Sequence, residues 1–101
     1  MKIDREDDTV RVELVDSIAF TNAHKIRNDI LKYIDKDAKT LVLNISKVDF
    51  MDSSGIGILI SLLKKMKSKG GRLIIEHPKL GVQKLFEMTK LDEIIEVRKS
   101  P

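Results

Sequence analysis

Apolar and polar residues alternate over Thr9-Val-Arg-Val-Glu-Leu, which places Val10, Val12 and Leu14 on one side of a half-buried strand. An Asp7-Asp8 turn precedes it, so residues 1–16 read as a hairpin. The period then changes. Ala23, Ile26, Ile30 and Ile34 recur at helical spacing, from the favoured N-cap residue Asn22 through Tyr33. Asp35 to Lys39 reads as a charged loop, and Thr40-Leu-Val-Leu-Asn-Ile predicts a strand buried on both faces. Ser46 to Asp49 bends the chain, and Phe50-Met51 leads into Asp52-Ser-Ser-Gly. A helix is expected from Ser54 to about Lys69, ended by Gly70-Gly71. Arg72-Leu-Ile-Ile-Glu is the next strand, and Pro78 opens a further helix carrying Leu80, Val82, Leu85, Phe86 and Thr89. Ile94, Ile95 and Val97 form a last short strand or a docking tail.

Strands that alternate with helices in this way require parallel sheet members and right-handed crossovers. The expected fold is α/β: a mixed β-sheet packed with α-helices, as a single domain over residues 1–101. Cysteine is absent, which excludes a disulfide framework and a thiolate metal site. Trp is absent too, and Tyr33, Phe20, Phe50 and Phe86 are the aromatic residues, so the core is aliphatic. The longest apolar stretch, Ile56 to Leu63, falls short of the roughly 20 residues that a membrane span needs. The amino terminus is charged from its second residue and carries no signal-type apolar region. A cytoplasmic protein with no membrane contact is the expectation.

Net charge is +3, and its distribution matters more than its size. Asp4, Glu6, Asp7, Asp8, Glu13 and Asp16 crowd the first sixteen residues. No acid stands between Asp52 and Glu76, where Lys64, Lys65, Lys67, Lys69 and Arg72 fall. That stretch lacks any aromatic residue for base stacking, so it reads as a solvated helix face and not as a nucleic-acid surface.

The helix after Ser54 has an unusually wide apolar arc. Ile56, Leu59, Ile60, Leu63 and Met66 cover one face, and Ile58 and Leu62 extend it to roughly 200°. Either a neighbouring element covers the excess, or Ile58 and Leu62 form an exposed docking edge. At the start of this helix, Asp52, Ser53 and Ser54 supply at least one N-cap. The same strand-turn-helix junction is a candidate anion site, and Gly55 and Gly57 admit a close approach to the backbone. Catalytic readings fail by spacing. Gly55-Ile-Gly-Ile-Leu-Ile has Ile60 in place of the third glycine of a dinucleotide fingerprint, and no Gly-Lys-Ser or Gly-Lys-Thr occurs. A nucleophile elbow at Ser53 would need glycine where Met51 stands. His24 and His77 have no metal-ligand companions at useful spacing. Neither an enzymatic activity nor a cofactor nor a metal is expected.

The stretch Val48-Asp-Phe-Met-Asp-Ser-Ser-Gly-Ile-Gly-Ile-Leu-Ile resembles the signature of the STAS-domain anti-sigma factor antagonists. Gly70-Gly-Arg-Leu-Ile-Ile and Leu85-Phe-Glu-Met-Thr-Lys-Leu resemble the rest of that family's pattern, and the likeness runs from about Thr9 to Val97. The resemblance implies a STAS-type sandwich that works as a partner switch. In that family the unmodified protein binds an anti-sigma factor that is also a serine kinase, and the sigma factor is released. The kinase phosphorylates the first serine of the motif, here Ser53, and a metal-dependent serine phosphatase restores binding. Carried onto this chain, the docking surface is Asp52, Ser54 and Gly55 around Ser53, with Ile58, Ser61 and Leu62, flanked by Phe20, Thr21 and Asn22.

Two departures from the pattern stand out. Aligned on Ala23, the family's Gly-x-Leu-Asp reads Asp16-Ser17-Ile18-Ala19, and Lys90 stands where a glycine usually follows the third helix. The first keeps a second reading open, a STAS scaffold or sensor component that does not switch. A third is a STAS module that binds a nucleotide or other anion at the helix start.

Overall fold

The computed structural model describes residues 1–99. Lys2–Glu6 (β1) and Thr9–Glu13 (β2) form the expected antiparallel hairpin. Asp7 turns it at φ +55°, a left-handed conformation that Asp tolerates better than most residues. Then follow Ala23–Leu31 (α1), Thr40–Asn44 (β3), Ser53–Ser68 (α2), Arg72–Glu76 (β4) and Leu80–Met88 (α3). A 3-10 turn over Leu91–Glu93 leads to Glu96–Arg98 (β5). The five strands lie side by side in chain order, with β2 to β5 mutually parallel.

Strand order equal to chain order has one consequence for layering. Each right-handed crossover moves one strand further in the same direction, so all three helices fall on one face of the sheet. Val10, Val12, Leu41, Leu43, Leu73 and Ile75 point to that face and join α1, α2 and α3 residues in one apolar cluster. The other face carries the intervening residues: Arg11, Val42, Ile74 and Glu96 lie in register across four strands. Burial of β3 on both faces therefore holds, but by different means. Val42 and Ile74 are 4% and 2% exposed although no helix covers them. Ion pairs from Arg11 to Glu76 (3.7 Å) and from Arg72 to Glu96 (3.6 Å) lay long aliphatic stems across that face instead. The free edge of β1 is charged and exposed apart from Ile3.

Element ends differ from expectation where local bonding decides them. The first helix stops at Leu31, not Tyr33; Tyr33 and Ile34 donate back to Ile30 and Leu31 in a closing turn. The second begins one residue early, at Ser53, because Asp52 and not Ser53 is its cap. It ends in a Schellman motif: Gly71 N–H reaches Met66 O at 2.8 Å, Gly70 N–H reaches Lys67 O at 3.0 Å, and Gly70 takes φ +72°. The third begins at Leu80, two residues after Pro78. His77 is still tied to the sheet through its N–H to Arg98 O, and Lys79 remains extended.

The substitution of Lys for glycine after α3 has a visible cost. Lys90 sits at φ +59°, ψ +22°, where its Cβ crowds the backbone. Lys90→Gly is expected to raise stability by roughly 1 kcal/mol, read as a higher urea midpoint at unchanged slope. A lower midpoint would show that the Lys90 side chain stabilises more than its backbone strain costs.

Candidate functional site

The chain segments that leave β2 and β3 at the carboxyl ends of the strands are joined to one another. Ile18 N–H donates to Phe50 O (3.0 Å) and Asp52 N–H donates to Ile18 O (3.1 Å), a parallel bridge between Ile18 and Met51. Both of those side chains are buried. Asp52 then ties the joint to a helix. Its Oδ1 accepts from the N–H groups of Ser54 (2.8 Å) and Gly55 (3.2 Å), and its Oδ2 accepts from Phe20 N–H (3.0 Å). Burial alone would raise the Asp52 carboxyl, but the donors Phe20, Gly55 and Ser54 outweigh it and hold the group below the ordinary carboxylate range.

Asn22 has a different task from the one its residue type suggests. It occupies the N-cap position of α1 without a side-chain capping bond. Its Oδ1 accepts from Ala19 N–H (2.9 Å) and its Nδ2 donates to Ser17 O (2.8 Å), so the amide braces its own loop. Between the Asn22 brace and the Asp52 tether, Phe20 projects outward and is 76% exposed. Thr21 is exposed beside it. Ala19, where the family pattern has an acid, contributes a backbone donor to the brace and no charge.

Ser53 is the first residue of α2 and is exposed. No hydrogen bond among the described residues engages its hydroxyl. Asp52 is no base for it, since both carboxylate oxygens are held by backbone N–H groups. The same bonding bears on the reading of the helix start as an anion site: Asp52 already engages the amides of Ser54 and Gly55, two of the donors that a bound anion would use. Among the described residues no group of three His, Cys, Asp or Glu side chains is placed to hold a metal ion.

Phe20, Thr21, Asn22, Asp52, Ser53 and Ser54 thus share one end of the molecule. Three other predicted docking residues do not present a surface. Ile58 and Leu62 are 5% and 1% exposed within the apolar cluster, because the packing of α1 against α2 covers the excess apolar arc. The exposed docking edge is therefore corrected to a helix–helix contact. Gly55 is buried, and its close approach is internal: a Cβ there would lie 2.3 Å from Met51 Cγ and 3.2 Å from Ile18 O. Ser61 is half-buried in a groove between α1 and α2.

Phe50 was not among the predicted site residues. It is 56% exposed and borders a surface hollow with Met51, Val82, Leu85 and Met88. The signal was available. Neighbours in an extended segment point to opposite sides, so a buried Met51 turns Phe50 outward.

Two measurements check this geometry. Gly55→Ala should destabilise by about 1–3 kcal/mol through overpacking, whereas Gly57→Ala, whose Cβ would meet nothing within 4 Å, should stabilise by about 0.5–1 kcal/mol. Equal effects in urea unfolding would contradict the placement of the two glycines. The second concerns pH. The folded pKa of Asp52 lies below its unfolded value, so its ionised form favours the fold above about pH 4, and that contribution is lost as pH falls through the folded value. The Tm gap between the chain and Asp52→Asn should therefore be widest above about pH 5 and close under more acidic conditions. A gap independent of pH would remove the tether from the account.

The family model of the STAS domain matches residues 1–101. The anti-sigma-B factor antagonist of Listeria monocytogenes is 25% identical over 95 residues, which cover 94% of this chain and 83% of that protein. An anti-sigma factor antagonist from Mycobacterium paratuberculosis superposes with a TM-score of 0.85 at 19% identity, over 98% of this chain and 84% of that one. The unphosphorylated anti-sigma factor antagonist SpoIIAA gives a TM-score of 0.76 at 20% identity, over 99% and 88%. SpoIIAA of Bacillus in its phosphorylated form gives 0.74 at 24% identity, over 98% and 91%. With its parallel sheet, its Asp-Ser-Ser-Gly helix start and these relatives, the chain belongs to the STAS domain family, in the company of anti-sigma factor antagonists.

Proposed function

We propose that this STAS domain is an anti-sigma factor antagonist whose docking is switched at Ser53. Unmodified, the face made by Phe20, Thr21, Asn22, Asp52, Ser53 and Ser54 binds an anti-sigma factor serine kinase and frees the sigma factor. Phosphorylation of Ser53 ends the binding, and a metal-dependent serine phosphatase renews it. The observation that carries this reading is the exposed, unengaged Ser53 hydroxyl next to Asp52, whose carboxylate also holds the loop that carries the exposed Phe20. Support comes also from SpoIIAA, a structural relative that exists in unphosphorylated and phosphorylated forms.

Magnitudes favour a switch that acts across an interface and not through the fold. A phosphate adds about −1.5 to −2 charge, and a helix N-terminus stabilises an anion by roughly 0.3–1 kcal/mol. The first turn of α2 therefore tolerates the group. In a docked complex the same group brings bulk, desolvation and repulsion from partner acids. A loss of about 3 kcal/mol there weakens binding roughly a hundredfold.

Incubation with the cognate anti-sigma factor kinase and ATP should place one phosphate on Ser53, located by mass spectrometry. Ser53→Ala should keep tight binding and Ser53→Asp lose it. Phe20→Ala should leave stability within about 0.5 kcal/mol while weakening the complex, since its ring is exposed. Equal affinities of the two Ser53 variants, with no phosphate on Ser53, would replace the switch by a constitutive scaffold.

A further inference from the structure

The groove between α1 and α2 has about 210 Å³ of space, with His24 and Arg27 on one bank and Ser54, Gly57 and Ser61 on the other. Ser54 belongs to the capped first turn of α2, and Gly57 and Ser61 lie one and two turns further along the helix. Its polar groups are donors in search of acceptors. Arg27 Nε is buried and has no hydrogen-bond partner. The guanidinium makes one long side-chain bond, 3.3 Å from Nη2 to Asn28 Oδ1. No hydrogen bond among the described residues engages the hydroxyls of Ser54 and Ser61, and no acidic side chain lines the groove.

Gly57 adds an independent observation. A glycine inside a helix lowers helix stability, and at Gly55 internal packing explains it. At Gly57 nothing inside the chain does, since a Cβ would meet no atom within 4 Å. Its bare backbone leaves the floor of the groove open to an incoming group.

We propose that this groove receives a carboxylate side chain, Asp or Glu, of the protein that docks on the Ser53 face. Arg27 is its ionic partner, and the Ser54 and Ser61 hydroxyls are further donors. The proposal rests on the docking function above and gives it a chemical anchor. A carboxylate presents two coplanar oxygens that match the fork of N–H donors on a guanidinium, and such charge-assisted pairs are shorter and stronger than neutral hydrogen bonds. A phosphate dianion is held better by clustered backbone amides, which the groove lacks. Ser54 follows Ser53 directly, so a phosphate on Ser53 sets about two negative charges near the incoming carboxylate. Docking and its reversal then act on one cation.

The test is an NMR titration of the full chain with N-acetyl-glutamic acid amide, with inorganic phosphate as a second probe and sodium chloride as the ionic-strength control. The carboxylate should shift the Arg27 Nε–Hε and Gly57 amide signals saturably, and chloride should not. Arg27→Gln should weaken the binding about tenfold, the scale of one charge-assisted contact, and Arg27→Lys should retain part of it. Ser53→Asp should weaken it several-fold by repulsion. No saturable shift, or an unchanged titration in Arg27→Gln with the remaining spectrum native, overturns the groove. Saturation by phosphate and not by carboxylate overturns the assigned ligand. None of these readouts needs the kinase, so a groove that binds in a chain never phosphorylated on Ser53 refutes the switch alone.

Discussion

The carboxylate of Asp52 is the contact on which the functional end of this domain depends. One oxygen caps α2 and the other holds the loop that carries Phe20, 32 residues earlier in the chain. A single ionised group therefore fixes the relative position of the exposed Ser53 hydroxyl and an exposed aromatic ring. The Ile18–Met51 bridge and the tight seat of Gly55 against both residues keep that carboxylate where it must be. Neutral hydrogen bonds to the same amides would be weaker, since charge-assisted ones are shorter and stronger.

Topology explains why such an end suits a protein partner. In doubly wound sheets a ligand crevice opens where neighbouring connections go to opposite faces. Here the strands run in chain order and all three helices lie on one face, so the connections at the carboxyl edge do not diverge. The result is a surface with projecting side chains and a shallow helix–helix groove, not a cleft that encloses a small molecule. On the proposed docking function, recognition would fall to exposed aromatic rings and one cation, the kinds of group that dominate protein interfaces.

Much of the fold was legible in the residues. The alternation of β2, the apolar runs of β3 and β4 and the Gly70 stop all follow from period and turn chemistry, and the Asp-Ser-Ser-Gly block marked the start of α2. What was not legible depended on partners distant in sequence. A helical wheel shows the width of the Ile58 and Leu62 arc but not that α1 covers it. Asn22 carries the right side chain for a cap, yet capping preference does not say which amides are nearer, and Ala19 and Ser17 engage it. Asp52 as the cap was one of three candidates, and its bond to Phe20 had no local signal at all. The placement of Arg27 beside Ser54, Gly57 and Ser61 emerges only when α1 and α2 lie side by side.

The charged outer edge of β1 bears on how this domain meets other chains. An open strand edge can template a further strand, and such an addition is slow to undo because it is held by a ladder of main-chain bonds. At β1 the exposed residues include Lys2, Asp4, Arg5 and Glu6, and at the opposite border β5 is only three residues long. Neither border invites a foreign strand. Contact is thereby left to side chains, and an association held by side chains can be dissolved by changing one group, whereas a ladder of main-chain bonds has no single point of release.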